Sequence, residues 1–265
     1  MKQTAVVIAP GRGTYNKNEL GYLKRHHSNA PNLDQFDAYR ATLGQKKISE
    51  LDTFPQFSGP THTRGDNAAP LIYACAYSDF VSIDRDLFDI VGITGNSMGW
   101  YIALACAGAV DPMGGMQVVN TMGTLMQVHM IGGQLIYPFL DDNWQEIPGR
   151  RDNLLSEVIT INSRPDHDLG LSIDLGGMLV LAGNEAGLTA FERSVPALQG
   201  RFPMRLQNHA GFHTHLQRPI SKLGFDALSE ELFVQPTIPL IDGRGAIWYP
   251  NSTDTSALYN YTLGH

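Results

Sequence analysis

Short apolar runs, each broken by a glycine-rich turn, set the pattern of the first half of this chain. Ala5-Val6-Val7-Ile8-Ala9 is continuous and apolar, and it stops at Pro10-Gly11-Arg12-Gly13. Such a run predicts a buried parallel strand feeding a tight loop. Residues 14–60 are mixed and polar and predict a helix with long connections. Ala68-Ala69-Pro70-Leu71-Ile72-Tyr73-Ala74 opens a buried helix predicted over 68–81. Phe88-Asp89-Ile90-Val91-Gly92-Ile93-Thr94-Gly95 reads as a second buried strand. It runs straight into Asn96-Ser97-Met98-Gly99 and a small-residue helix over 101–109. Strand, sharp turn and helix in succession are the grammar of an α/β sheet.

The pattern changes after residue 128. Strands are predicted over 133–140, 178–182 and 202–207, with helices over 152–161 and 185–198 between them. This succession of short elements suits a small α+β insert. A helix over 219–232 and a strand over 238–241 then return to the main sheet. The organisation expected is a core formed by 1–127 and 208–265, interrupted by an insert over 128–207.

Composition narrows the function. The 265 residues are 43% hydrophobic and 17% charged, ordinary for a soluble enzyme, with a formal net charge of −7. Basic residues cluster only in pairs (Lys24-Arg25, Lys46-Lys47, Arg150-Arg151), which argues against nucleic-acid binding. The two cysteines, Cys75 and Cys106, sit in alanine-rich apolar stretches and read as buried thiols of a reducing compartment. The apolar run at 5–9 is too short for a secretory signal, and no run approaches the roughly 20 apolar residues of a membrane span. A soluble, cytoplasmic, monomeric protein is expected, and the sequons at Asn251 and Asn260 carry no weight in that setting.

The chemistry concentrates at Gly95-Asn96-Ser97-Met98-Gly99, a G-x-S-x-G between an apolar strand and a helix. The glycines permit a sharp turn and close helix packing, so that the serine hydroxyl stands at a helix amino terminus where negative charge is stabilised. Ser97 is therefore the candidate nucleophile, and it needs a base. His209, His213 and His215 are the candidates, and the residues alone do not choose among them. A metal site is not expected there, because the histidines lack carboxylate or thiolate company nearby.

Three separated segments together resemble the malonyl-CoA:acyl-carrier-protein transacylase family. Pro10-Gly11-Arg12-Gly13-Thr14 is similar to its P-G-Q-G-S loop. Gly95–Gly99 with Tyr101-Ile102-Ala103-Leu104 and Ala107-Gly108 resembles its G-H-S-L-G-E-Y-x-A-L elbow. Ala210-Gly211-Phe212-His213-Thr214-His215-Leu216 resembles its A-P-F-H-S-x-L motif. The resemblance implies an α/β hydrolase-like core with a parallel sheet and a small ferredoxin-like insert. It implies His213 as base and an oxyanion hole from the backbone N–H groups of Met98 and Arg12. It also implies acyl-CoA as donor, acyl carrier protein with its phosphopantetheine as acceptor, and no cofactor.

The chain departs from that family in four places. Met122 stands where malonyl-transferring members carry an arginine that pairs with the malonyl carboxylate. A buried carboxylate without a cation is costly, so an acetyl or other monocarboxylic acyl group is expected, unless the Arg12 side chain turns inward and replaces the cation. Asn96 and Trp100 replace the family's histidine and glutamate, and both are candidate substrate contacts beside Met122. Residues 14–66 form a long polar segment that either covers the site or meets a partner; the Arg64-Gly65-Asp66 tripeptide in it is accidental as a motif. The family continues past its histidine motif with further helices and a strand, one segment orienting the histidine through a backbone carbonyl. This sequence stops at His265, so either it is truncated or the orienting group lies elsewhere; Asp166, Asp168 and Asp174 are acidic candidates, none assigned.

The function expected is acyl transfer through an acyl-Ser97 intermediate. Three rivals share parts of the evidence. An acyl-thioester hydrolase on the same residues differs only in letting water deacylate Ser97. The amino-terminal loop and the insert argue against an ordinary α/β-hydrolase esterase. An inactive carrier-docking subunit would fail to label with a serine-directed fluorophosphonate.

Overall fold

The computed structural model describes residues 2–264. Its strands are β1 (Gln3–Ala9), β2 (Phe88–Gly95), β3 (Gly133–Pro138), β4 (Leu169–Asp174), β5 (Met178–Gly183), β6 (Met204–Arg205), β7 (Leu240–Ile241) and β8 (Ile247–Trp248). The helices before the insert are α1 (Tyr22–His26), α2 (Leu33–Thr42), α3 (Ile48–Asp52), α4 (Gly59–His62), α5 (Gly65–Val81), α6 (Met98–Cys106) and α7 (Pro112–Val128). Those that follow are α8 (Arg150–Asn162), α9 (Glu185–Ser194), α10 (Arg218–Ala227) and α11 (Thr255–Gly264). The chain forms two compact units, Met1–Gln127 with Leu223–His265, and Val128–Lys222.

The first unit is built on a sheet of order β1-β2-β7-β8. β1 and β2 are parallel along their length, from Gln3 opposite Phe88 to Ala9 opposite Gly95, so both strands end level with each other. β7 is parallel to β2, and β8 turns back antiparallel. β1 forms as the apolar run predicts but is not fully buried. As the edge strand it turns Val6 and Ile8 outward, at 52% and 76% exposure.

α5 begins three residues earlier than the apolar pattern indicates, at Gly65, and contains Pro70. Proline has no N–H to give the carbonyl four residues back, here that of Asp66. The guanidinium of Arg40, fully buried on α2, supplies the donor: Nη1 bonds the Asp66 carbonyl at 2.8 Å. Arg40 also donates to Lys46 O and to the side-chain oxygens of Asn67 and Asn120, so its charge is met by neutral acceptors on three sides.

The sequence pattern does not reveal α7, because glycine is a poor helix former and Gly114, Gly115 and Gly123 interrupt it. The fold requires them. A Cβ on Gly115 would lie 2.9 Å from Ala105 Cβ, and one on Gly123 would lie 2.6 Å from the Gly65 carbonyl oxygen. α7 thus packs on α5 and α6 at backbone distance.

The second unit carries the antiparallel sheet β4-β5-β3-β6. The chain order β-α-β-β-α-β with this strand order is the ferredoxin-like arrangement. Its core joins Leu135, Tyr137, Leu179 and Leu181 from the sheet to Leu154, Val158, Ile161, Leu188 and Phe191 from α8 and α9. β4 escapes the sequence pattern because a register shift between Leu171 and Ile173 breaks its alternation. The expected return to the core at residue 208 falls later: this unit runs to Lys222 and includes the histidine segment. Gly211 N–H and the Gln217 amide both bond the Ile131 carbonyl, and Ser172 Oγ donates to Phe212 O, which ties that segment beside β3 and β4. No described helix is long and apolar enough to cross a membrane.

Candidate active site

β2 ends at Gly95 and α6 begins at Met98, leaving Asn96 and Ser97 to make the whole turn. Ser97 adopts φ 56° and ψ −123°, a conformation strained for any residue with a Cβ. The turn closes through Gly99 N–H to Asn96 O and Trp100 N–H to Ser97 O, both at 2.9 Å. A Cβ on Gly95 would overlap the Gly99 carbonyl, and one on Gly99 would lie 2.5 Å from Ala9 O. Both glycines are therefore needed to bring strand end, helix start and the 10–13 loop together. Gly11 lies on the same turn, its Cβ position 3.4 Å from Asn96 O. Ser97 is partly exposed and Asn96 exposed, while Met98 is buried. The first N–H groups of a helix lack intrahelical acceptors and carry the positive end of its dipole, so the Met98 N–H stands where developing negative charge is favoured.

Arg12, next to Gly11, does turn inward. Its Nη2 donates to the Thr63 carbonyl at 3.2 Å, and burial holds the guanidinium down to about 10 against the opposing pull of Asp66. The sequence offered an inward turn as an alternative but not its partner, because the acceptor comes from α4's carboxyl end, fifty-one residues along the chain.

Two of the expected substrate contacts, Trp100 and Met122, are buried among neighbouring helices. Trp100 is 6% exposed, donates its indole N–H to Thr262 Oγ1 at 3.0 Å, and meets Tyr261 edge-on. Its partner is α11, so it braces α6 against that helix. Met122 is 3% exposed; a Cβ on Gly224 would come within 2.8 Å of its sulfur, with Leu263 beside it. Its thioether fills the approach of α10 to α7 and brings no charge.

In the second unit the three histidines separate by their partners. His209 Nδ1 is 2.9 Å from Gln134 Oε1, a buried side chain of β3. His215 Nε2 is 2.8 Å from Asp168 Oδ2. Asp174 pairs with Arg151 at 2.7 Å. His213 sits at φ 57°, so like Ser97 it occupies the left-handed region that disfavours a side chain. Thr214 Oγ1 bonded to Gly211 O and Ser172 Oγ bonded to Phe212 O frame it. Its surface is open while protein atoms crowd the ring. That burial lowers its pKa below the usual histidine value and keeps the imidazole neutral near pH 7. Among the described residues no group of three or more His, Cys, Asp or Glu side chains is placed to hold a metal ion.

No family model and no curated protein matches the chain. Solved structures do. The malonyl-CoA:ACP transacylase of Synechocystis sp. PCC 6803 superposes with a TM-score of 0.76 at 21% identity, covering 99% of this chain and 80% of that one. A malonyl-transacylase solved with its type II polyketide acyl-carrier protein gives 0.76 at 18% identity, with the same coverages. An acyl carrier protein S-malonyltransferase from Vibrio cholerae gives 0.75 at 19% identity, covering 99% of this chain and 81% of that one. The parallel sheet with its serine turn and the ferredoxin-like second unit therefore make up one known architecture: the chain has the fold of the malonyl-CoA:acyl carrier protein transacylases.

Proposed function

We propose that this protein is an acyltransferase that moves an acyl group from a CoA or carrier thioester to the phosphopantetheine thiol of an acyl carrier protein, by way of an ester on Ser97. The observation that carries the proposal is the strained Ser97 at the start of α6 beneath the 10–13 loop. In the first half-reaction His213 takes the Ser97 proton as Oγ attacks the thioester carbonyl. The N–H groups of Met98 and Arg12 receive the tetrahedral oxyanion. Collapse expels the first thiol, which leaves with the proton held on His213. In the second half the acceptor thiol gives its proton to His213 and attacks the ester, and Ser97 regains a proton as it departs. The lowered pKa of His213 suits this role, since only the neutral ring accepts a proton.

Intact-protein mass spectrometry tests the proposal. The protein is incubated with acetyl-, malonyl- or longer acyl-CoA, and holo carrier protein is added afterwards. An adduct on Ser97 that passes to the carrier is the expected result. An unmodified protein, or Ser97→Ala with full transfer activity, would sink it. Brief adducts with free acid accumulating would reassign the protein as a thioester hydrolase.

A further inference from the structure

The second unit carries a groove that acyl transfer leaves unused. Its floor is one stripe of α9, where Ala186, Thr189, Ala190 and Arg193 recur at the spacing that sets helical residues on one face. The loop after α8 makes the opposite wall with Arg164 and His167. The volume is about 570 Å³, within the range of small-molecule sites. Leu188 and Phe191 point the other way from α9, into the core shared with α8 and the sheet. Leu135 joins that core, so the neighbouring Gln134 projects from the other face of the sheet, where it meets His209. The groove and His209 therefore lie on opposite sides of this unit's sheet.

The lining is cationic where it is uncommitted. Arg193 makes no ion pair among the described residues, and Arg164 meets Glu157 only at 3.8 Å. His167 donates its Nδ1–H to the Pro165 carbonyl at 2.8 Å, since a carbonyl can only accept, which leaves Nε2 for a ligand. The one carboxylate on the lining, Glu185, is already engaged: Arg205 Nη2 reaches it at 3.0 Å and Thr189 Oγ1 donates to it at 2.8 Å. Two guanidinium forks and an imidazole around one opening match a group with several charged oxygens, as a phosphoryl group has. Such a group alone fills little of the volume. The methyl groups of Ala186 and Ala190 add a low apolar floor on which a flat ring can lie, and guanidinium planes stack on rings of that kind.

We propose that this groove binds a phosphate monoester with a flat ring body, of the size of a nucleoside monophosphate. Arg164 and Arg193 hold the phosphoryl oxygens, His167 closes the third side, and the ring covers Ala186 and Ala190. The inference uses neither Ser97 nor His213, so it stands or falls apart from the acyl-transfer reading.

Isothermal titration of the whole protein with adenosine 5′-monophosphate, adenosine and inorganic phosphate tests it, in wild type, Arg164→Gln and Arg193→Gln. The monophosphate should bind wild type about tenfold or more tighter than adenosine or inorganic phosphate, and each substitution should weaken it about tenfold or more. Arg201→Gln removes a cation of the same unit that is not on the lining, and should change the affinity by about twofold or less. A second measurement needs no variant: the methyl signals of Ala186 and Ala190 should shift as the monophosphate is added. No binding at millimolar monophosphate, or equal affinity for adenosine or for inorganic phosphate, overturns the proposal. So does an unchanged affinity in either lining variant, an equal loss in Arg201→Gln, or alanine methyl signals that stay still while the ligand binds.

Discussion

The serine turn and the histidine segment are held by different forces. Around Ser97 the constraint is backbone against backbone: Gly95 on Gly99, Gly99 on Ala9, Gly11 on Asn96. Around His213 side-chain hydrogen bonds from Ser172, Thr214 and Gln217 join backbone contacts, Gly211 N–H on Ile131 O and Gly132 on Gly183, with His209 on Gln134 close by in sequence. Both residues sit at positive φ, and at the serine turn close backbone contacts flank the residue itself on both sides. A nucleophile fixed in this way has one position. A base framed in part by polar side chains has a position that also depends on each partner.

Four experiments would break or sharpen that contrast, the largest effect first. His213→Gln should lower the rate of Ser97 acylation by about 10²–10⁴-fold, the usual worth of a general base, with little change in the melting temperature; normal acylation would show that another group takes the proton. Gly99→Ala should cost about 3 kcal/mol or more in denaturant unfolding, as overpacking against a backbone carbonyl does, and a wild-type midpoint would mean that the loop moves aside freely. Gln134→Leu leaves His209 without its acceptor and should cost about 1–2 kcal/mol. It should also slow acylation modestly, because the loss spreads through a polar network. His215→Gln breaks an exposed pair and should change stability by about 0.5 kcal/mol or less; a large loss of activity would instead make His215 the base.

The acidity of His213 gives a further check on the same contrast. Its folded pKa is depressed and its neutral form is the active one. The acylation rate should therefore stay level from pH 8 to below the usual histidine pKa of about 6.5, and fall only under that value. A fall that begins above pH 7 would mean a raised pKa and a carboxylate at the ring.

The difference in constraint also explains what the chain disclosed before its structure. Gly95, Ser97 and Gly99 were legible because their requirement is local: a strand, a two-residue turn and a helix within about fifteen positions. The insert's strands and helices were legible by periodicity, except β4, whose register shift hides the alternation. The bracing role of Trp100 was not legible, because Thr262, which takes its N–H, lies 162 positions away. Arg12 was placed correctly as a loop residue, but the sequence could not show that its side chain would fold onto Thr63. α7 was missed because glycine propensity argues against a helix that only contact with α5 and α6 makes favourable.

Arg40 has a consequence for how the first unit opens. Because Pro70 leaves the Asp66 carbonyl without a helical donor, the first turn of α5 is completed by a side chain from α2. The two helices should therefore exchange their amide protons as a single cooperative block rather than fray separately. The Arg64–Asp66 pair belongs to the same block, so any event that loosens α2 also scatters the charges gathered around Asp66. Residues 33–42 would then govern how long the first turn of α5 stays closed.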